Sequence, residues 1–188
     1  MTVPADVRDV FKKATCLQTK ADVESALDTM ATAISYELAD ANPLLLCVVV
    51  GGIVALGNLL PRLDFPLEVD YVHATRYGMD CSGSEVKWLA KPSYDLKGRT
   101  IILVDDILDG GITLQSIVDY CKEQGAAKVY SAVLVDKQDA RLEGGLPEAD
   151  FAGLKVPNEW LFGYGLDYKG YLRNAPGIYS VADEHIDS

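Results

Sequence analysis

Runs of apolar residues alternate with turns and helical patterns along the chain. The runs lie at 44–50, 100–104 and 129–135 and are rich in β-branched residues. Uninterrupted runs of this kind are typical of strands buried on both faces. Helical spacing follows the first two runs, at 53–60 and 112–124. This alternation predicts an α/β fold with a doubly wound, mostly parallel sheet and right-handed crossovers.

The flanking segments have simpler patterns. Helical spacing at 4–14 predicts one N-terminal helix, and Thr19 with Asp22 forms a capping-box pattern that opens a second. The alternation at 67–72 predicts a strand with one solvated face, and 85–91 is expected to form its return strand.

Composition excludes several classes of protein. The 188 residues are 49% hydrophobic and carry a net charge of −11, so we expect one folded domain and no nucleic-acid partner. The four widely spaced cysteines and two histidines predict neither a disulfide framework nor a zinc site. The sequence shows neither a signal-peptide pattern nor an apolar run that could cross a membrane. We therefore expect a soluble, cytoplasmic protein.

Three carboxylates lie at the end of the second apolar run. Asp105, Asp106 and Asp109 follow 100–104, and a Gly-Gly turn with a helix start covers 110–113. Ligands of parallel sheets bind beyond the carboxyl ends of the strands. The carboxylates can accept hydrogen bonds from sugar hydroxyls, and the amides of the turn can bind a phosphate. A ribose 5-phosphate satisfies both halves.

Three other interpretations do not fit the residues of this segment. A solvated turn whose aspartates cap the helix explains one aspartate, not three. The Walker A and G-x-G-x-x-G patterns are absent. An Asp-Asp-x-x-Asp motif of prenyl-chain enzymes belongs inside a helix, whereas this one follows a β-branched strand.

The stretch 104–113, Val-Asp-Asp-Ile-Leu-Asp-Gly-Gly-Ile-Thr, resembles the phosphoribosyl-diphosphate (PRPP) motif of the type I phosphoribosyltransferases. The resemblance implies that Asp105 and Asp106 hold the ribose hydroxyls, directly or through Mg²⁺, and that Asp109 is the catalytic acid/base. The 5-phosphate is expected on Gly110, Gly111, Ile112 and Thr113. Gly110 departs from the family, because many members have threonine there.

A second set of residues resembles the enzymes of this family that act on hypoxanthine and guanine. Lys137 follows the third apolar run and is expected to donate to the 6-oxo group, although a surface lysine is the simpler interpretation. In the aromatic segment 160–168, Trp160 is expected to stack on the base and Leu161 to offer backbone groups. Core packing is the alternative for these aromatics. Asp167 is expected to bind a metal and Arg173 the diphosphate.

The diphosphate is also expected to contact two loops. Gly51 and Gly52 align with the family's short loop that binds diphosphate through backbone amides; Gly51 departs from the pattern, since many members carry lysine there. Arg76 and Tyr77 open the expected flap at 71–91, where many relatives have Ser-Tyr.

The resemblance implies a division of the chain and a function. We expect N-terminal helices at 1–42 that form part of a hood or an interface, a PRPP-binding core at 43–150 and a purine-side hood at 151–188. The expected activity joins a 6-oxopurine to PRPP with Mg²⁺ as cofactor, in a homodimer or homotetramer. Two alternatives stay open: a non-catalytic PRPP-sensing regulator and a xanthine-preferring enzyme. The motifs disfavour adenine, pyrimidines and a plain binding module.

Overall fold

The structure is a computed structural model that describes residues 4–76 and 86–186. The helices are α1 (Ala5–Lys13), α2 (Lys20–Leu38), α3 (Gly52–Leu59) and α4 (Ile112–Glu123), with 3-10 turns at Leu60–Arg62 and Asp183–His185. The strands are β1 (Thr15–Thr19), β2 (Leu44–Val48), β3 (Glu68–Arg76), β4 (Val86–Ala90), β5 (Thr100–Leu108), β6 (Lys128–Lys137), β7 (Phe151–Val156), β8 (Leu161–Phe162) and β9 (Gly177–Ser180).

The main sheet has the order β4-β3-β2-β5-β6-β7. Its pairs are parallel except for β3 with β4, which is antiparallel. One face packs against α2 and α3 and the other against α4, so each face has its own apolar core. This arrangement confirms the predicted fold class.

Two strands do not end where their apolar runs end: at the site, β5 continues beyond its run and β2 stops short of the end of its run. β5 continues through Asp105 and Asp106 to Leu108, because its pairing with β6 extends to Leu108 opposite Asp136. The acidic pair therefore lies within a strand, not in a turn after Val104. β2 ends at Val48, two residues before the end of its apolar run.

Four of the nine described strands, β1, β7, β8 and β9, were not predicted from the sequence pattern. Phe151–Val156, which we expected to open the hood, pairs parallel with β6 as the edge strand of the main sheet. Thr15–Thr19, between the two expected N-terminal helices, pairs antiparallel with β9. A small sheet of order β1-β9-β8 thus joins the two ends of the chain above the core.

Local sequence signals fix the ends of the helices. The capping box is present: the Asp22 amide donates to the Thr19 hydroxyl, and Asp22 accepts from the Thr19 amide. Gly111 and Gly125 flank α4 with φ of +80° and +84°, a conformation that favours glycine. Within the described residues, no helix is long and apolar enough to span a bilayer.

Candidate active site

Two adjoining clefts open at the carboxyl ends of β2, β5 and β6. The larger, of about 510 Å³, is lined by these expected site residues: Gly51, Asp105, Asp106, Asp109, Gly110, Gly111, Ile112, Thr113, Asp167 and Arg173. The smaller, of about 160 Å³, is lined by Lys137, Trp160 and Leu161 and shares Asp106, Asp109 and Asp167 with the first. We call them the ribose-phosphate cleft and the purine cleft.

The acidic pair forms the floor of the ribose-phosphate cleft. Asp106 is buried, and its amide donates to Asp105 Oδ1 at 2.8 Å. Burial raises the pKa of both carboxyls, and the neighbouring charge of Asp106 raises the pKa of Asp105 further. Two acids held this closely need a cation or hydroxyl donors to stay ionised.

Arg173 supplies part of that positive charge from the hood. Its Nη2 lies 2.6 Å from Asp167 Oδ1, and its Nη1 lies 3.8 Å from Asp106 Oδ2. Nη1 also donates to the Gly165 carbonyl at 2.5 Å. The guanidinium therefore connects the hood to β5 at the place where a diphosphate is expected.

The turn before α4 leaves backbone amides without a side-chain partner in the part of the chain that the structure describes. Among the described residues, no side chain caps the N-terminus of α4, so its first amides are left for a ligand. The carbonyls of Gly110 and Gly111 point away, into hydrogen bonds with the amides of Leu142 (3.1 Å) and Leu146 (3.0 Å). A Cβ on Gly110 would lie 2.9 Å from Leu142 Cδ1, so the glycine that departs from the family pattern faces an occupied space.

Close backbone approach explains the other departure. A Cβ on Gly51 would collide with the Asp106 carboxyl group, so in this chain the missing side chain lets the loop after β2 lie directly against β5. Gly165 of the hood is packed against the carbonyl of Gly51 in the same way. Gly52 is buried, and a Cβ there would meet the carbonyl oxygen of Val104 at 2.5 Å. The peptide bond between Val49 and Val50 is cis.

Lys137 and Trp160 form one wall of the purine cleft. Lys137 Nζ lies 3.2 Å from Asp109 Oδ2 and 5.9 Å from the centre of the Trp160 ring. The lysine side chain is only 12% exposed, so it is not a surface lysine. Trp160 is 65% exposed, which excludes core packing for this ring, whereas Leu161 is buried.

Part of the expected flap lies outside the described residues. β3 ends at Arg76 and pairs with β4, so both stems of the flap are seen at the sheet edge. Tyr77 lies outside the described residues, and the side chain of Arg76 is not described.

Three further residues at the site were not predicted from the sequence. Asn158 lines the ribose-phosphate cleft and Glu159 the purine cleft, both directly before Trp160. Arg141 lies behind the site and contacts the backbone of Asp109 and Lys137. The only hint of this role in the sequence is that Arg141 follows Lys137 by four residues.

The acidic residues fit a divalent cation. Carboxylate oxygens are the ligands that Mg²⁺ prefers. Asp106 and Asp167 both flank the Arg173 guanidinium, and the raised pKa values of Asp105 and Asp106 indicate that this single cation does not compensate the pair.

Comparisons with known proteins agree with this geometry. A family model described as the phosphoribosyl transferase domain matches residues 16–169. A hypoxanthine-guanine phosphoribosyltransferase of Streptococcus pneumoniae is 33% identical over 87% of this chain and 90% of its own length.

Solved structures share the fold. A hypoxanthine phosphoribosyltransferase of Staphylococcus aureus superposes with a TM-score of 0.88 at 23% identity, covering 100% of both chains. That of Trypanosoma cruzi, in complex with the product IMP, gives 0.81 at 24% identity, covering 92% of this chain and 95% of its own. The chain therefore belongs to the phosphoribosyltransferase family, in the group of the hypoxanthine-guanine phosphoribosyltransferases.

Proposed function

We propose that this protein joins N9 of hypoxanthine or guanine to C1′ of PRPP and releases diphosphate, giving IMP or GMP. The observation that carries the proposal is the continuity of the two clefts. Lys137, Asp109 and Trp160 surround a site of base size that opens directly onto the acidic pair and the N-terminus of α4. The Trypanosoma cruzi neighbour, whose IMP combines the same two halves, supports this assignment.

The ribose-phosphate half orients the sugar. Asp105 and Asp106 accept hydrogen bonds from the 2′- and 3′-hydroxyls, directly or through Mg²⁺. The amides of Gly110, Gly111, Ile112 and Thr113 and the Thr113 hydroxyl bind the 5-phosphate, supported by the positive end of the α4 dipole. C1′ is thereby fixed between the purine cleft and the diphosphate.

A second part of the ribose-phosphate cleft stabilises the leaving group. As the bond to C1′ breaks, negative charge collects on the departing oxygens, and the Arg173 guanidinium with the Gly51 and Gly52 amides stabilises it. When bound, Mg²⁺ supplies further Lewis-acid neutralisation of the diphosphate. Asp167, with the acidic pair, is the proposed holder of the metal.

The purine half selects and positions the base. The Lys137 ammonium can only donate, so it favours a 6-oxo group over the 6-amino group of adenine. Trp160 stacks on the ring, and Leu161 offers backbone groups to its edge. Asp109 faces N7 and exchanges the proton that the base loses or gains during glycosyl transfer.

We assign to the flap that begins at Arg76 and Tyr77 the exclusion of water from the reacting sugar, which suppresses hydrolysis of PRPP. Arg76 adds a phosphate contact in this assignment.

The rival functions lack a supporting observation. A nucleic-acid-binding PRPP sensor is disfavoured by the net charge of −11. A xanthine-preferring enzyme is disfavoured by Glu159 in the wall of the purine cleft, because a carboxylate there suits the 2-amino donor of guanine better than the 2-oxo acceptor of xanthine.

We further propose a cytoplasmic homodimer or homotetramer. Ile53 on α3, Tyr71 on β3 and Leu89 on β4 are each about half exposed, at 51%, 51% and 52%. Tyr71 and Leu89 lie on the edge pair of strands of the main sheet, and exposed apolar side chains in such a place are typical of a subunit interface.

Diphosphate release from PRPP and Mg²⁺ tests the function, with hypoxanthine, guanine, xanthine and adenine offered in turn. We expect turnover with hypoxanthine and guanine, and its loss when EDTA removes the metal. The assignment would be refuted if adenine were the only base that supports turnover, or if diphosphate were released equally fast without any base.

A further inference from the structure

Arg141, in the loop after β6, donates hydrogen bonds to five acceptors next to the site. Its acceptors are the carbonyl oxygens of Leu108 (2.8 Å), Asp109 (2.7 Å), Lys137 (3.2 Å) and Pro147 (3.1 Å) and the carboxylate of Asp136. The side chain is 23% exposed, and Asp136 is buried. A planar guanidinium can serve this many acceptors at fixed angles, whereas an ammonium cannot.

These contacts join the ends of two neighbouring strands. Leu108 ends β5 and lies opposite Asp136 of β6, and Lys137 is the last residue of β6. Arg141 thus binds the carboxyl ends of both strands at once. Its own side chain lines neither cleft, although its neighbours Ala140 and Leu142 line the larger one.

Asp109 depends on this support. Its side chain is 53% exposed, so packing does not fix it, and its position follows from the backbone that carries it. Arg141 binds the Asp109 carbonyl and the Lys137 carbonyl with the same nitrogen, Nη1. One guanidinium group therefore holds the two backbone positions from which the Asp109 and Lys137 side chains project.

We propose that Arg141 is a positioning residue for the purine half of the site: it fixes the backbone at Asp109 and Lys137 and so sets the spacing of the acid/base and the base-selecting lysine. The proposal rests on the proposed function of those two residues. A displacement of about 1 Å in such a pair can lower a rate roughly 100-fold.

The test compares three variants with the wild-type protein. Arg141→Met removes every contact but leaves Asp136 buried and uncompensated, which can unfold the protein. The double variant Arg141→Met/Asp136→Asn removes both charges and guards against that outcome. Arg141→Lys keeps the charge and is expected to restore part of the function.

Arg62→Met is the matched control. Arg62 is 21% exposed, pairs with Glu24 and Asp28, and donates to the Asn58 carbonyl, away from both clefts. Steady-state kinetics with guanine and PRPP, calorimetric titration with GMP and thermal unfolding are measured for every variant.

For the double variant we expect kcat/KM for guanine to fall about 10- to 100-fold, while KM for PRPP changes less than about threefold. GMP is expected to bind about tenfold more weakly or worse, and Arg141→Lys to lie between the double variant and wild type. Arg62→Met is expected to lower the melting temperature without this kinetic split.

Equal losses for guanine and PRPP, or a double variant that binds GMP as the wild type does, would overturn the proposal. If the wild-type protein turns over no base, the proposed function fails, and the GMP titrations still decide the role of Arg141. Failure of the wild type to bind GMP refutes both.

Discussion

The ammonium of Lys137 lies 3.2 Å from the carboxylate of Asp109. The donor assigned to the purine oxygen and the acid/base assigned to N7 thus contact each other across the purine cleft. A bound base would take the place of this ion pair, because it offers an acceptor to Lys137 and a proton donor to Asp109. Variants of the two residues test the two roles separately.

Lys137→Ala is expected to weaken the use of purines selectively. Loss of a hydrogen bond from a charged donor corresponds to about 1.5–3 kcal/mol, so kcat/KM for hypoxanthine and guanine should fall roughly 10- to 150-fold. KM for PRPP should change little. Lys128→Ala, at the exposed start of the same strand, is the control. Equal losses for both substrates would mean that Lys137 is structural.

Asp109→Asn tests the acid/base. We expect kcat to fall about 10²- to 10⁴-fold, the usual range for a lost general acid or base, while GMP still binds. Asp119→Asn, on α4, removes a carboxylate bonded to Gln115 outside the site and should leave kcat unchanged. Near-normal turnover of Asp109→Asn would remove this residue from the chemistry.

Gly51→Ala places a methyl group against the Asp106 carboxyl. The loop must move away from β5, so we expect KM for PRPP to rise at least about tenfold and the free energy of unfolding to fall by about 1–3 kcal/mol. Gly57→Ala provides the contrast, since a Cβ there meets nothing within 4 Å inside α3. That change should stabilise the protein by about 0.5–1 kcal/mol. The same KM for PRPP in both variants would show that PRPP binding does not require the close approach of Gly51 to Asp106.

Glu24 predicts a pH dependence of stability. It accepts hydrogen bonds from the Tyr164 hydroxyl and from Arg62, and these contacts, with that of Tyr164 foremost, lower its pKa below the ordinary 4.5. Its contribution is therefore complete above about pH 5 and is lost as the pH falls through the lowered pKa. At pH 7, Glu24→Gln should lose about 1 kcal/mol of unfolding free energy.

The difference from the wild type should shrink in acid, as denaturant unfolding at pH 7 and pH 3.5 will measure. Glu37→Gln is the control: Glu37 is exposed on the same helix, and its long hydrogen bond of 3.4 Å from the Tyr130 hydroxyl can be kept by glutamine, so the free energy of unfolding should be unchanged at both pH values. A difference that is independent of pH would show that the Glu24 carboxylate is not the source.

Periodicity and local motifs predicted the elements whose residues carry strong signals. The buried strands β2, β5 and β6 are continuous apolar runs, and the Thr19 cap marks the start of α2. Because parallel strands end at the same edge, the proximity of Asp109 and Lys137 also follows from their positions in sequence.

Elements that depend on tertiary contacts were missed. β7 contains Ala152 and Gly153 and has no run of strong strand formers, so only its pairing with β6 defines it. β1 exists because β9, near the other end of the chain, supplies its hydrogen-bonding partner. Arg141 shows the same limit, since four of its five acceptors are backbone carbonyls that no sequence pattern reveals.

The most direct test is a crystal structure of the protein with GMP and Mg²⁺. The account predicts the 5-phosphate on the amides of Gly111, Ile112 and Thr113, the ribose hydroxyls at Asp105 and Asp106, and the guanine 6-oxygen at Lys137. A nucleotide bound elsewhere, or a phosphate remote from the start of α4, would contradict it.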